Sequence, residues 1–314
     1  MSDIKLFRLN SGVAVELQGD VADLEKPLQS LIERNLEPLL GIKFLASEYS
    51  TGKTHAGRID SLGLDENSCP VILEYKRSVG ENVINQGLFY LDWLMDHQAE
   101  FELLVMRKLG SVASEAIDWS APRVVCIASD FTKYDAHAVQ QIKRNIELIR
   151  YRLFGEELLL LEQASFASTS VSKSVVAKAA LLHNDVPIVT SKNRSPDRSY
   201  AEWLLELPPL LADVLTSLEN YIYSLADDVE RKELRLYTAF KRLKNFTTVV
   251  LQKNRILVYV HLNPDQVVSL PANARDVRNI GHWGTGDIEL SLADAKDLDA
   301  AKPLIQLAYE GRLK

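Results

Sequence analysis

The sequence predicts an α/β (α+β) protein with an N-terminal mixed sheet flanked by helices and a smaller C-terminal α+β domain. Stretches with apolar residues at three-four spacing alternate with short apolar runs between turn residues, which indicates helices mixed with buried strands. A polar segment rich in Ser and Thr interrupts this pattern after residue 164. The 314 residues also exceed the usual size of one domain, about 100–200 residues.

Residues 1–164 are predicted to form the first domain, which begins with a hairpin or edge strands over 1–19. Helices are predicted over 24–40, 81–97 and 137–153. Strands are predicted over 42–48, 56–64, 70–75, 103–106, 123–128 and 158–161. The order of these elements predicts a sheet with helices on its faces.

Residues 165–199 are predicted to be a linker with one short helix over 175–182, because Ser and Thr dominate its first half. The second domain, 200–314, is predicted to start with a helix over 202–225 and to close with one over 298–310. Its strands are predicted over 247–252, 256–262 and 288–292. A loop with three glycines is predicted over 275–286.

Composition limits the classes of function. The net charge of −7 disfavours a protein that coats DNA through its overall charge, but it allows a local basic groove. The two cysteines, Cys69 and Cys126, fit a reducing compartment rather than a disulfide framework or a zinc site. The N-terminus does not look like a signal peptide, and no apolar run reaches about 18 residues. We therefore expect a cytoplasmic protein without a membrane partner.

Three charged side chains stand close together in the predicted hairpin within residues 57–77. The first strand carries Asp60, and the second carries Glu74 and Lys76. Side chains alternate in direction along a strand, so Glu74 and Lys76 project from one face and Tyr75 from the other. Asp60 and Glu74 are then expected side by side, within reach of one metal ion.

This pattern resembles a known signature. Asp60, thirteen residues and then Glu74-Tyr75-Lys76 resemble the Asp…Glu-x-Lys motif of the PD-(D/E)XK nuclease superfamily, which includes restriction enzymes and RecB-like and NucS-like nucleases. Gln86 and Tyr90 match the Gln-x-x-x-Tyr element of the RecB-like branch. The resemblance covers about the first half of the chain and implies a restriction-endonuclease-like core. It also implies a glutamate from the preceding helix, for which Glu33 is the best match and Glu37 and Glu25 are the alternatives.

The resemblance implies a metal-dependent endonuclease that hydrolyses DNA, in repair or in defence against foreign DNA. Asp60, Glu74 and the backbone carbonyl of Tyr75 offer the hard oxygen ligands that suit Mg²⁺ or Mn²⁺. Lys76 is expected to position or deprotonate the nucleophile, or to neutralise the phosphate. Glu33 is expected to bind a second ion or to hold a water molecule.

Further residues are predicted around this pair of acids. Gln86 and Tyr90 are four residues apart on one helix face, where they could orient Lys76 or contact the strand. Arg58 and Arg77 are predicted DNA contacts, since guanidinium groups match phosphate geometry, and Lys53 is a third predicted contact. A homodimer is an expectation as well, because cutting both strands commonly uses two active sites.

Two alternatives stay open. The acids and the lysine are also compatible with an ordinary buried ion-pair network, and the chain with a non-catalytic protein that binds nucleic acid or a partner. The segments 240–246 and 279–287 resemble a small bacterial domain family of unknown function sometimes labelled "predicted transport protein", although nothing in the sequence enters a bilayer. In that domain His282-Trp283, with Lys241, Arg242 and Lys244 as anion contacts, indicates either a ligand site or a rigid Gly-rich turn.

Overall fold

The computed structural model describes residues 4–22, 24–77, 83–164 and 198–311. The chain divides into two compact units, Met1–Ala167 and Ser168–Lys314. Nearly all of the predicted linker, with its short helix, lies outside the described residues. The predicted fold class is confirmed: each unit contains one main sheet and helices.

The N-terminal unit is built on a six-stranded mixed sheet. Its helices are α1 Glu25–Arg34, α2 Leu36–Leu40, α3 Gly52–His55, α4 Val83–Asp96, α5 Gln98–Leu109, α6 Ser111–Glu115 and α7 Lys133–Gln141. Its strands are β1 Leu6–Asn10, β2 Val13–Leu17, β3 Ile42–Ser50, β4 Arg58–Asp65, β5 Pro70–Lys76, β6 Arg123–Ala128, β7 Asn145–Phe154 and β8 Leu158–Gln163. Strands β3 to β8 lie side by side in chain order, while β1 and β2 form a separate hairpin.

Strand β5 occupies a central place in this sheet. It pairs with β4 in an antiparallel ladder and with β6 in a parallel one. Its apolar residues Val71, Ile72 and Leu73 are fully buried, as expected for a strand with covered faces. Helix α4 lies against β6 at Gly87, where a Cβ atom would come within 2.4 Å of Val124 Cγ1. This close contact fixes the position of α4 on the sheet.

Two predicted elements of this unit are wrong. Residues 103–106 are predicted as a strand but belong to helix α5, because a short apolar run does not distinguish a strand from a helix that buries Phe101 and Val105. The predicted helix over 137–153 ends at Gln141, and β7 follows it. In β7 the charged residues have partners on neighbouring elements: Glu147 binds Arg123 on β6. The neighbouring strands β6 and β8 therefore override the helical pattern of this segment.

A third prediction differs in detail. The helix predicted over 24–40 is divided at Asn35 into α1 and α2. Its predicted end is confirmed, since Gly41 adopts a left-handed conformation after α2. None of the helices in the described part of the chain combines the length and apolar character needed to cross a membrane.

The C-terminal unit contains a six-stranded antiparallel sheet, a 3-10 helix at Pro264–Gln266 and three described α-helices: α8 Tyr200–Leu205, α9 Pro209–Ser224 and α10 Ala295–Glu310. Its strands are β9 Glu230–Glu233, β10 Thr238–Lys241, β11 Asn245–Gln252, β12 Arg255–Val260, β13 Ala274–Asp276 and β14 Ile288–Leu292. The helix predicted over 202–225 is two helices, because Pro208 and Pro209 interrupt it and Pro209 starts α9. The start of the predicted loop over 275–286 belongs to β13.

The Gly-rich segment of this unit is tightly packed. A Cβ atom on Gly286, which has a φ of +133°, would lie 2.9 Å from the backbone of Val260. The His282 ring stacks on Tyr259 at 4.3 Å, and its nitrogens lie 2.9 and 3.1 Å from the carbonyl oxygens of Ile280 and Gly286. This packing agrees with the rigid-turn alternative for His282-Trp283.

Candidate active site

The candidate site lies where the ladder between β4 and β5 ends. Ser61 and Leu73 form the last pair of that ladder, and Asp60 and Glu74 follow it. Asp60 Oδ2 accepts a hydrogen bond from the Tyr75 backbone N–H at 3.0 Å. In return, Glu74 Oε1 accepts one from the Asp60 backbone N–H at 3.3 Å. Each carboxylate therefore binds the backbone of the opposite strand, and the two acids are held together.

The two acids are also removed from solvent. Glu74 is 0% exposed, and its Oε2 atom has no hydrogen-bond partner among the described residues. Burial, followed by the negative charge of Asp60, raises the pKa of Glu74 to about 9. Burial likewise raises the pKa of Asp60. Without a cation, the pair therefore retains a proton at neutral pH.

A divalent cation fits this donor set. Once Glu74 has lost its proton, its buried Oε2 needs a positively charged partner, and carboxylate oxygens are ligands that Mg²⁺ and Mn²⁺ prefer. The described part of the chain contains no group of three or more His, Cys, Asp or Glu side chains that could hold a metal ion. Asp60 and Glu74 would therefore need the Tyr75 carbonyl and water molecules to complete a coordination shell.

Lys76 lies beside the acids. It is two residues after Glu74 on β5, so both side chains project from the same face. Its positive charge lowers the pKa of Asp60 and so opposes the effect of burial. Its Nζ atom lies 3.7 Å from Glu25 Oε2 on α1, and its side chain is largely buried. The structure thus brings Asp60, Glu74 and Lys76 together.

Of the three glutamates considered on the preceding helix, the structure brings Glu25 rather than Glu33 to this group. Glu33 Oε1 accepts hydrogen bonds from Ser61 Oγ at 2.7 Å and from Gln29 Nε2 at 2.9 Å. Ser61 follows Asp60 on β4, so it faces the opposite side of the sheet. Glu25 instead contacts Lys76, and its negative charge contributes to the raised pKa of Asp60.

Gln86 and Tyr90 lie on α4 and contact each other. Gln86 Nε2 lies 3.5 Å from the Tyr90 hydroxyl, which accepts a hydrogen bond from the Arg58 backbone N–H at 3.2 Å. The buried Tyr90 ring comes so close to the chain that a Cβ atom on Gly57 would lie 2.6 Å from it. Tyr90 therefore contacts the start of the strand that carries Asp60.

The predicted DNA contacts occupy different surroundings. The Arg58 side chain is 69% exposed and forms an ion pair with Glu48 on β3. Arg77 is exposed and directly follows Lys76 at the end of β5. The side chain of Lys53 lies outside the described part of the structure.

Glu48 is a member of this region that sequence reasoning missed. The neighbouring pairs Ser47–Ser61 and Tyr49–Ile59 place it opposite Asp60 in the ladder between β3 and β4. Its backbone has a φ of 53°, in the left-handed region that a glutamate rarely adopts. Its negative charge contributes to the raised pKa of Asp60. A single glutamate in a strand of mixed polarity carries no sequence signal for such a position.

Two comparisons concern the sequence. Residues 204–311 match the family model of a domain of unknown function, DUF5655, which falls in the C-terminal unit. An uncharacterized protein of Haemophilus influenzae is 26% identical over 314 residues, an alignment that covers 98% of this chain and 100% of that protein. Neither comparison covers the candidate site with a protein of stated activity.

Three solved structures are similar to part of the chain. A repair endonuclease from Pyrococcus abyssi is 20% identical over 42% of this chain and 49% of its own, with a TM-score of 0.28. EndoMS in its apo form is 17% identical over 44% and 49%, with a TM-score of 0.26. EndoMS in complex with dsDNA is 16% identical over 46% and 65%, with a TM-score of 0.23. The first two alignments span about half of the solved chains, and the activities of those proteins are therefore not assigned to this chain.

Proposed function

We propose that this protein is a metal-dependent nuclease that hydrolyses phosphodiester bonds in DNA. The observation that carries the proposal is the pair of buried acids, Asp60 and Glu74, held together at the end of the β4–β5 ladder with Lys76 on the same face. In an ordinary ion-pair network each carboxylate faces a cation, whereas here burial and the negative charge of Asp60 outweigh the charge of Lys76 and raise the pKa of Glu74 to about 9.

The cofactor in this proposal is Mg²⁺ or Mn²⁺, held by Asp60, Glu74 and the Tyr75 carbonyl. When bound, such an ion polarises the phosphoryl group and lowers the pKa of water. Glu74 would release its proton on binding, because the ion replaces that proton as the source of positive charge. Without a cation, two negatively charged carboxylates buried side by side repel each other. This cost supports a site that binds a divalent cation.

Lys76 supplies a positive charge at the place where a scissile phosphate would lie. Its ammonium group can donate hydrogen bonds to a phosphoryl oxygen and stabilise the negative charge that develops there. Glu25 would orient this ammonium group from α1. Tyr90, with Gln86 beside it, would hold the start of β4 and thereby the backbone of Asp60.

The test is DNA cleavage by the purified protein and its variants. Plasmid and single-stranded DNA would be incubated with Mg²⁺ or Mn²⁺, and Asp60→Ala and Lys76→Ala compared with the wild type. We expect each variant to lose roughly 100-fold or more in rate, the usual contribution of a group acting on protons or charge in the transition state. Glu37→Gln is the control, because this exposed side chain lies on α2. Equal cleavage by all proteins would assign the activity to a contaminating nuclease and refute the proposal.

A second candidate function is a non-catalytic protein that binds nucleic acid. This alternative is favoured by the small number of acids at the site. Among the described residues, no third side chain joins Asp60 and Glu74 in a group that could hold a metal ion. Mn²⁺ binding measured by calorimetry separates the two. A nuclease should bind the ion and lose it in Asp60→Ala, whereas a binding protein should retain DNA without any effect of the ion.

A further inference from the structure

Two cationic side chains from different elements meet on one carboxylate next to the candidate site. Lys26, in the first turn of α1, has its Nζ atom 2.7 Å from Glu48 Oε1. Arg58, at the start of β4, forms an ion pair with Glu48 Oε2. The carboxylate thus occupies the space between an ammonium group and a guanidinium group. Both cations are more than half exposed, so a ligand from solvent could reach them.

The carboxylate is held there by an unusual backbone. Glu48 adopts a φ of 53°, which glycine and asparagine tolerate and glutamate rarely does. Such outliers occur at functional sites when the surrounding structure holds them in place. Lys26 and Arg58 hold the Glu48 side chain in place. The Glu48 backbone is held by its neighbours Ser47 and Tyr49, which pair with β4.

We propose that Lys26 and Arg58 form a phosphate-binding subsite for the DNA backbone, and that Glu48 occupies this subsite until DNA displaces it. An ammonium group and a guanidinium group around one anion are also the groups that bind a phosphodiester. Arg58 is two residues before Asp60 on β4, so the subsite is about 7 Å along the strand from the acids. A DNA phosphate bound there would place the adjacent phosphates of the same DNA strand near Lys76. The inference rests on the proposed function in that its ligand is DNA.

Glu48 acts against DNA in two ways. Its carboxylate competes with the phosphate for Lys26 and Arg58, and its charge adds to the negative potential around Asp60. Removing that charge while keeping the side-chain shape frees both cations. The affinity for DNA should then rise, whereas loss of a merely structural ion pair would leave it unchanged or lower it.

The experiment measures DNA affinity without catalysis. A fluorescent single-stranded oligonucleotide would be titrated with full-length protein in EDTA, and binding followed by anisotropy at several salt concentrations. The variants are Glu48→Gln and Glu48→Asn, the second because asparagine tolerates a positive φ. Glu37→Gln is the matched control, since it makes the same change in net charge at an exposed position.

We expect both Glu48 variants to bind about five-fold more tightly or better, the effect of one like-charge repulsion at contact distance in water. The slope of log K against log salt should steepen by about 0.7, the value for one additional phosphate contact on single-stranded DNA. Adding Arg58→Ala to Glu48→Gln should abolish the gain.

Affinity in the Glu48 variants equal to that of Glu37→Gln, or weaker than wild type, overturns the subsite, as does the absence of binding by every protein. This readout is independent of cleavage. A wild type that cleaves DNA while Glu48→Gln binds no more tightly would retain the proposed function and remove only the inference. Tighter binding by Glu48→Gln without cleavage by any protein would retain the phosphate-binding subsite and remove the proposed nuclease function.

Discussion

The raised pKa of Glu74 makes the stability of the protein depend on pH in a direction that can be worked out. Its pKa rises from an ordinary 4.5 to about 9 on folding, so between these values the native state holds a proton that the unfolded chain has released. The contribution of Glu74 to stability is therefore fully present below pH 4.5 and is lost as the pH rises towards 9. The slope is about 1.4 kcal/mol per pH unit, or about 2–3 kcal/mol between pH 6 and 8.

Glu74→Gln removes the titrating group and nearly preserves its shape. We expect urea denaturation in EDTA, followed by circular dichroism, to show that the wild type loses about 2–3 kcal/mol more of its free energy of unfolding than the variant between pH 6 and 8. Glu37→Gln should follow the wild type, since that side chain is exposed. Mn²⁺ should raise the wild-type stability more at pH 8 than at pH 6, because the ion must displace the proton. Parallel pH profiles for wild type and Glu74→Gln would refute this account of the site.

Three further predictions concern the surrounding framework. Arg123→Met should lower the free energy of unfolding by about 3–5 kcal/mol in urea denaturation, because it leaves two buried acids without their shared cation. Gly87→Ala should lower it by about 1–3 kcal/mol through the clash with β6, and equal stability of Gly87→Ala and the control Gly281→Ala, where no atom lies within 4 Å, would contradict that packing. Glu25→Gln should slow cleavage more than Glu33→Gln does, and the reverse order in a plasmid assay would restore Glu33 as the residue of the site.

The arrangement of Asp60, Glu74 and Lys76 could be predicted because it depends on local rules. Alternation along β5 places Glu74 and Lys76 on one face, and the hairpin brings β4 beside them. The mixed sheet could be predicted for a similar reason, since buried strands such as β5 and β6 appear as apolar runs between turn residues.

Other parts of the site depend on long-range packing, which the sequence does not display. Glu25 and Glu33 lie on the same helix, and only the orientation of α1 on the sheet decides which one meets Lys76. Glu48 reaches its place through a left-handed backbone and the register between β3 and β4, neither of which a glutamate signals. The sequence pattern predicts a helix where β7 lies, because the partners that make this segment a strand, such as Arg123 on β6, are distant in the sequence.

The side chains of Asp60 and Glu74 each accept a hydrogen bond from the backbone of the opposite strand, so a change at either carboxylate affects the backbone. The amide hydrogens of Asp60 and Tyr75 are bound by carboxylates rather than by carbonyl groups. Any ion that draws these oxygens away also releases the two amides, whereas the ladder from Ser61 to Leu64 keeps its own bonds. Hydrogen–deuterium exchange at the Asp60 and Tyr75 amides would therefore report whether an ion is bound to the two acids. This measurement does not require the protein to cleave DNA.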